Sequence, residues 1–562
     1  MDLTSAALPA PDGPIADAYD VVAVGAGLGG LVAAITAVDL GLRALVVEKS
    51  ALLGGVTAYS QGQLWLAAPD EARAAGIEDS PAAGAAYLTR LGAGFADPAA
   101  VAAYSALAPR VLRFLRERAG VPWRLVDLPD YYFPVFDDAL PRGRYVEVDP
   151  FHGPDLGAWR ATLRVSPHVP YRLTHDVLYS LPCGARSHTW DPAVTAAAAE
   201  RDDLAMGAGL AAYLLRAALA GGVDVAREAD VRSLTRTGGR VDGVVLEHGG
   251  VERRVVATRA VVLATGGYDW HPSLAASFEG NTGMTSAAPP TIVGDHLRLA
   301  TEVGARLAQS PKPLRLSLPV PGTDDGRPMH RILGAMAMPH GMLVNRAGRR
   351  FGDESFYPSI GHALKDVNGA TQELRNLPCW VVVDAQHRRR YAFGHVRPGD
   401  DFPPEWGVAT ADTIEELAVL AGIDPAGLVD EVARFNRFSA QDRDEDFGRG
   451  ERPWAQINYG DREVDGNPCL GAIAEPPFHA YRPGLVGTGI VALGVDTDVH
   501  GRALAHDGTP VEGLYVVGNS AHLGEVGAGY QSGVANTRSA VFAHAGVRHA
   551  AGVPFTADEL VV

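Results

Sequence analysis

The residues Gly25-Ala-Gly27-Leu-Gly29-Gly30 have the types and spacing needed to hold a pyrophosphate. Gly25 permits a tight turn, Gly27 lets backbone approach the phosphates, and Gly30 lets a helix pack closely on its strand. A helix opening at Leu28 would aim its N-terminal amides at the same negative charge. Glu48 stands 18 residues beyond Gly30, where an acid is expected to hold a ribose hydroxyl, and Lys49 follows it. Together these residues predict a dinucleotide site.

Such residues converge only if regular elements position them. Asp20-Val-Val-Ala-Val24 is a short apolar run ending at Gly25, the pattern of a buried parallel strand. A helix is expected over Leu28–Leu40 and a second strand over Arg43–Glu48, completing one β-α-β unit. Further strands are expected over 223–225, 240–246, 260–265 and 514–517, with Trp380–Asp384 in a different layer. Thr413-Ile-Glu-Glu416 is a capping-box pattern. Asp424-Pro425 opens a helix with Leu428, Val429, Val432 and Phe435 on one face. Residues 397–406 read as a surface loop.

A second glycine cluster, Gly54-Gly55-Val-Thr57-Ala-Tyr-Ser60-Gln-Gly62, implies a flat ligand lying along backbone. Ala264-Thr265-Gly266-Gly267 follows another strand, and Gly518-Asn519 follows one near the C-terminus. These blocks resemble the FAD-binding elements of the fumarate reductase/3-ketosteroid dehydrogenase flavoprotein superfamily, over Tyr19 to Ala551. Gly294-Asp295, Leu343 to Phe351, Glu354 and Pro476-Pro477-Phe478 extend the match. The resemblance implies an α/β fold with a discontinuous Rossmann-type FAD-binding domain, over 18–275 and 466–562. An inserted α+β substrate-capping domain would occupy 276–465, and 1–17 would be a disordered leader. FAD would be held by the first glycine cluster with Leu28, by Glu48 and Lys49, and by Gly54, Gly55, Thr57, Ser60 and Gly62. Ala264, Thr265, Gly266, Asp295, Gly518, Asn519 and Gly533 would complete its site. Membrane-bound fumarate reductases attach flavin through a histidine near the second cluster. Residues 54–65 contain none, so noncovalent FAD is expected.

The resemblance also assigns chemistry to three tyrosines. Tyr357, after Arg349-Arg-Phe-Gly-Asp-Glu-Ser-Phe, resembles the base of ketosteroid dehydrogenases. Tyr131, in Pro129-Asp-Tyr-Tyr132, resembles the tyrosine that assists it, with Tyr132 an equal candidate by composition. Tyr530 resembles the donor to the substrate carbonyl, where the fumarate branch has an arginine. A backbone N–H four residues on would complete that carbonyl site. It falls on Val534, with Gly533 the neighbouring alternative. Ser532 resembles a serine of relatives that desaturate the other side of the carbonyl, or is a small residue at a flavin contact. Free tyrosine has a pKa of about 10, so a second phenol, a backbone dipole or a cation must help it ionise. A hydrophobic cyclic ketone, most simply a 3-ketosteroid, is the implied substrate, and an external acceptor would take the electrons. A smaller oxocyclohexane ring and a fumarate-like carboxylate are the alternatives. His522 and Arg538 are the carboxylate-binding candidates of the last reading.

Composition narrows the rest. The 562 residues carry 65 glycines and a formal charge of −17, with no Lys/Arg-rich run, which argues against nucleic acid. Three distant cysteines give no metal spacing and no disulfide framework, so no metal site is expected. Residues 1–16 lack the order of a signal peptide. The most apolar stretch, 204–222, is broken by Arg216, so no membrane span is expected. These features predict a cytoplasmic protein. Residues 137–184, with Arg142, Arg144 and His152, read as a lid or an oligomer contact.

Overall fold

A computed structural model describes residues 8–11, 13–280, 283 and 285–562. The leader expected over 1–17 lies partly outside them. Its described part is tied down: the Trp159 indole donates to the Pro9 carbonyl at 2.7 Å, and the Ala16 amide donates to the Tyr19 hydroxyl.

The β-α-β unit forms as the periodicity predicts. Strand β1 (Ala18–Val24) leads through the glycine turn to helix α1 (Leu28–Asp39) and strand β2 (Ala44–Val47). Both strands are buried on two faces, as parallel strands covered by helices must be. Across the large sheet the order is Arg502–Leu504, Pro510–Val516, Val251–Leu263, β1, β2, Asp224–Ala226. All neighbours are parallel except the Arg502–Leu504 edge. The long strand Val251–Leu263 serves two structures. Its second half pairs with β1, and its first half pairs antiparallel with Arg240–His248 in a ribbon. The final helix, Val534–Ala550, packs on α1, where the Thr36 hydroxyl meets His544 Nδ1 at 3.0 Å.

The inserted segment builds its own sheets. Cys379–Val383 is buried throughout and pairs with Gly341–Asn345 and Phe478–Tyr481, away from the large sheet. The strand Arg315–Asp324 lies between Arg327–Ile332 and Gly484–Gly487. Strands at 478–481 and 484–487 thus still pair within the insert. The chain rejoins the large sheet only at Arg502, beyond the boundary read at 466. Asp424 caps the helix Pro425–Ala440 by accepting from the Gly427 amide, and Leu428, Val432 and Phe435 are buried on its inner face. Thr413 caps Ile414–Ala421 through the Glu416 amide. No helix of the described residues is long and apolar enough to cross a membrane.

Residues 137–184 are not simply a lid. Arg144 is 1% exposed and sits between two buried carboxylates, Asp79 at 2.8 Å and Asp130 at 2.9 Å. That half of the stretch is core, whereas His168 and Val169 line a cavity.

Candidate active site

The glycine turns interlock. Gly25 has φ +108°, and a Cβ there would lie 2.3 Å from the Ala264 carbonyl oxygen. Gly30 faces the Gly25 carbonyl so closely that a Cβ would fall at 1.8 Å. Gly27 differs: a Cβ on it would meet nothing nearer than the Thr57 hydroxyl at 4.0 Å, so its open side faces a cleft. The second cluster docks beside it. The Gly54 amide donates to the Ala26 carbonyl, and the Leu28 amide donates to the Thr57 hydroxyl. Glu48 ties the two strands' ends together, accepting from the Ala26 amide at 3.0 Å and the Ser50 amide at 2.9 Å. Burial nevertheless pushes its carboxyl upward.

Most of the expected FAD residues line one cleft. Gly25, Gly27, Leu28, Gly29, Glu48, Lys49, Gly55 and Thr57 come from the first half. Ala264, Thr265, Gly266, Asp295, Gly518 and Asn519 close it. Lys49 and Asp295, distant in sequence, form an ion pair at 2.6 Å. Gly30 and Gly54 stand behind the cleft and shape the turns. Ser60, Gly62 and Gly533 line instead a second, larger cavity, which meets the first at Val56 and Asn519. At that junction the buried Asn519 Oδ1 has no hydrogen-bond partner among the described residues, while its amide nitrogen donates to the Gly489 carbonyl. An elongated dinucleotide fits this arrangement: open glycine backbone and a helix N-terminus for phosphate, a carboxylate for ribose, and an orphaned acceptor where a ring system would enter the larger cavity.

The larger cavity brings the three tyrosines together. The Tyr357 and Tyr131 hydroxyls are hydrogen-bonded at 2.8 Å. Their ring centroids lie 5.9 Å apart, and the Tyr530 ring lies 5.8 Å from Tyr357 and 6.1 Å from Tyr131. Trp454 packs on Tyr131 at 4.1 Å. Burial raises the pKa of both Tyr131 and Tyr357 well above the ordinary phenol value, working against a base. The opposing influence is a cation that carries no motif. Arg315, buried, holds its guanidinium carbon 3.4 Å from the Tyr357 ring centroid and 4.5 Å from that of Tyr530. Its charge pulls both Tyr357 and Tyr131 downward, and no carboxylate partner neutralises it among the described residues. An arginine within the apolar run Leu314-Arg-Leu-Ser-Leu318 was the available signal.

The other candidates sort by geometry. Tyr132 stacks on Phe136 at 4.4 Å and does not line the cavity, which separates it from Tyr131. Val534 opens the final helix. Its side chain is buried away from the cavity, and its amide donates to the Gln531 carbonyl at 3.3 Å in the turn that opens the final helix. Gly533, in that turn with φ +87°, lines the cavity in its place. Ser532 lines it too and donates to Gln63 Oε1 at 3.2 Å. Arg538 is spent on the Glu525 carboxylate at 2.9 Å and on the Gly518 and His522 carbonyls. His522 faces Ser310 at 2.7 Å. Glu354 lies in a buried ion cluster with Arg350 and Arg449. Sequence reasoning missed Arg315, Trp454 and Asp130. Asp130 accepts from the Trp65 indole at 2.7 Å, from Arg144 and from the Leu140 amide, and so fixes the backbone next to Tyr131.

The FAD binding domain family matches residues 20–536. The chain is 36% identical over 516 residues to a 4-oxocyclohexanecarboxylate 2-dehydrogenase of Sinomonas cyclohexanicum, covering 89% of this chain and 87% of that one. It is 31% identical over 538 residues to a 3-oxosteroid 1-dehydrogenase of Mycobacterium tuberculosis, covering 89% and 92%. A crystal structure of 3-ketosteroid delta1-dehydrogenase from Sterolibacterium denitrificans, in complex with 1,4-androstadiene-3,17-dione, superposes with a TM-score of 0.83 at 28% identity, covering 96% of this chain and all of the other. With its turns, cleft and relatives in agreement, the chain belongs to the FAD binding domain family as a 3-ketosteroid dehydrogenase-like flavoprotein, an FAD-dependent oxidoreductase acting on CH–CH donors.

Proposed function

We propose that the protein desaturates the α,β-bond of a six-membered cyclic ketone, either a single oxocyclohexane ring or a 3-ketosteroid. The observation that carries this reading is the Tyr131–Tyr357 hydroxyl pair beside Tyr530 and the Arg315 guanidinium, in a cavity continuous with the FAD cleft. Tyr530 and the Gly533 backbone N–H are aimed at the carbonyl oxygen. Two donors there stabilise the developing enolate and acidify the α-proton. Tyr357 takes that proton, with Tyr131 as the hydrogen-bond donor to the phenolate and Arg315 as the compensating charge. FAD, when bound, supplies the acceptor for the hydride leaving the β-carbon, and an external oxidant takes the electrons onward. Ser532, tied to Gln63, positions the rim of the ring site. Relatives named for 4-oxocyclohexanecarboxylate and for 3-oxosteroids share a ketone in a six-membered ring, which supports the substrate class.

The test is Tyr357→Phe. It should keep FAD absorbance and fold while losing about 100-fold or more in kcat, the usual range for a positioned acid or base. Wild-type turnover by the variant would sink the assignment of the base. Fumarate reduction at a rate matching ketone oxidation would sink the substrate class.

A further inference from the structure

A chain with formal charge −17 surrounds its substrate cavity with no carboxylate. Among the described residues lining the cavity there is no Asp or Glu, yet two arginines face it, Arg315 and Arg331. Arg315 is committed to the tyrosine rings. Arg331 is not committed to anything: it makes no ion pair and no side-chain hydrogen bond among the described residues. Arg331 is an exposed residue of its strand that also lines the cavity, so its guanidinium stands at the solvent-facing side of that space. The carboxylates of its own hairpin are spoken for, because Asp324 accepts from the Tyr59 hydroxyl and Asp325 pairs with Arg164. His168 lines the same end of the cavity, its imidazole held neutral by burial and by the Arg331 charge. Arg331 stands opposite Leu318 in the hairpin, three residues along the strand from Arg315. At about 3.3 Å per residue along a strand, the two arginines are rooted on the order of 10 Å apart. Arg315 stands at the tyrosine rings, and Arg331 lines the same cavity from a separate position on the hairpin.

We propose that Arg331, with the His168 N–H beside it, is an anion-binding subsite that selects a cyclic ketone carrying a carboxylate on the side of the ring remote from the carbonyl. The inference rests on the desaturation reading for the other end of the cavity. Its physical basis is independent of that chemistry. An unpaired guanidinium at an acid-free cavity forms a charge-assisted pair with an anionic ligand, and such a pair is stronger than a neutral contact. A neutral ring of the same shape would leave Arg331 unpaired and would gain no such contact. Tyrosine ionisation is served by the separate cation at Arg315, so Arg331 acts in selection rather than in proton transfer.

The FAD-loaded protein should be given 4-oxocyclohexanecarboxylate, its methyl ester and a neutral 3-ketosteroid, with a reducible dye as acceptor. Equilibrium binding of acid and ester should be followed in parallel through the flavin absorbance change. The expected result is a preference for the acid over the ester of ten- to a hundredfold, in both Kd and kcat/KM. Arg331→Gln should reduce that preference to within about threefold by raising the KM and Kd of the acid far more than those of the ester. Arg331→Lys should restore part of it. Equal binding of acid and ester by the wild type, or a preference for the neutral steroid, overturns the proposal. So does an Arg331→Gln variant that loses acid and ester equally. If the acid binds selectively but is never desaturated, the anion subsite stands and the reaction assigned to the tyrosines fails.

Discussion

Removing the Arg315 charge tests the electrostatics of the proposed base most directly. The guanidinium carbon lies 3.4 Å from the Tyr357 ring centroid, which puts it on the order of 4–5 Å from that ring's oxygen. At an effective dielectric of about 20, a unit charge at such a distance stabilises a phenolate by roughly 3–4 kcal/mol. Burial of the phenol acts in the opposite direction, so the cation is what makes ionisation accessible. Arg315→Leu should shrink the ionised fraction of the base, while each phenolate that forms becomes a stronger base. The two effects partly cancel, leaving a loss of about 10- to 100-fold in kcat near neutral pH. The sign of the pH response follows from the active form being the deprotonated one. For the wild type kcat should climb with pH. For the variant, whose phenol has lost the influence that lowers its pKa, the climb should move to higher pH and the deficit should narrow in alkali. Arg315→Lys should keep much of the wild-type profile. The assay is dye-coupled turnover across pH, with FAD content checked by absorbance. A uniform loss at every pH, or none, would refute the assignment of Arg315 as the compensating charge.

Three further outcomes follow from the geometry. Gly30→Ala places a Cβ 1.8 Å from the Gly25 carbonyl oxygen, so the protein should purify with little bound flavin, read from its visible absorbance. Asp130→Asn breaks one of the two buried pairs of Arg144. It should lower stability by about 3 kcal/mol, the low end for such a loss because Asp79 remains, seen as a lower denaturant midpoint. Val534→Ala leaves the turn amide and Gly533 in place, so kcat should change less than about twofold. A loss comparable to that of Tyr357→Phe would mean that the buried Val534 side chain, and not the backbone alone, aligns the turn.

The parts legible in the sequence were those that short-range spacing encodes. Gly25, Gly27 and Gly30 are constrained by one turn and one helix start, and Glu48 by the end of the next strand, so local pattern and local structure coincide. The tyrosines became legible through family resemblance, because residues 131, 357 and 530 share no periodicity and meet only in the folded cavity. Arg315 and Arg331 were not singled out because an arginine's role depends on whether a carboxylate reaches it, which no spacing encodes. Gly533 rather than Val534 lines the cavity. Counting positions from Tyr530 ignores the turn at Gly533, whose positive φ brings its own backbone to the cavity wall. The glycine-rich segments after 466 resemble cofactor turns, and the strands at 478–487 among them pair within the insert.

Trp65 has a consequence for redesign. Its indole N–H is held by Asp130, the neighbour of Tyr131, and its amide by Thr537 of the final helix. The backbone of Gly533 packs so closely on the Trp65 backbone that a Cβ would clash at 2.6 Å. One fully buried residue thereby sets the position of both Tyr131, the proposed partner of the base, and Gly533, the proposed carbonyl donor. Attempts to widen the pocket for bulkier rings from this wall would displace both ends of the reaction at once. The wall at 168 and 331 is coupled to neither, and substrate range is therefore adjustable there while the chemical step keeps its alignment.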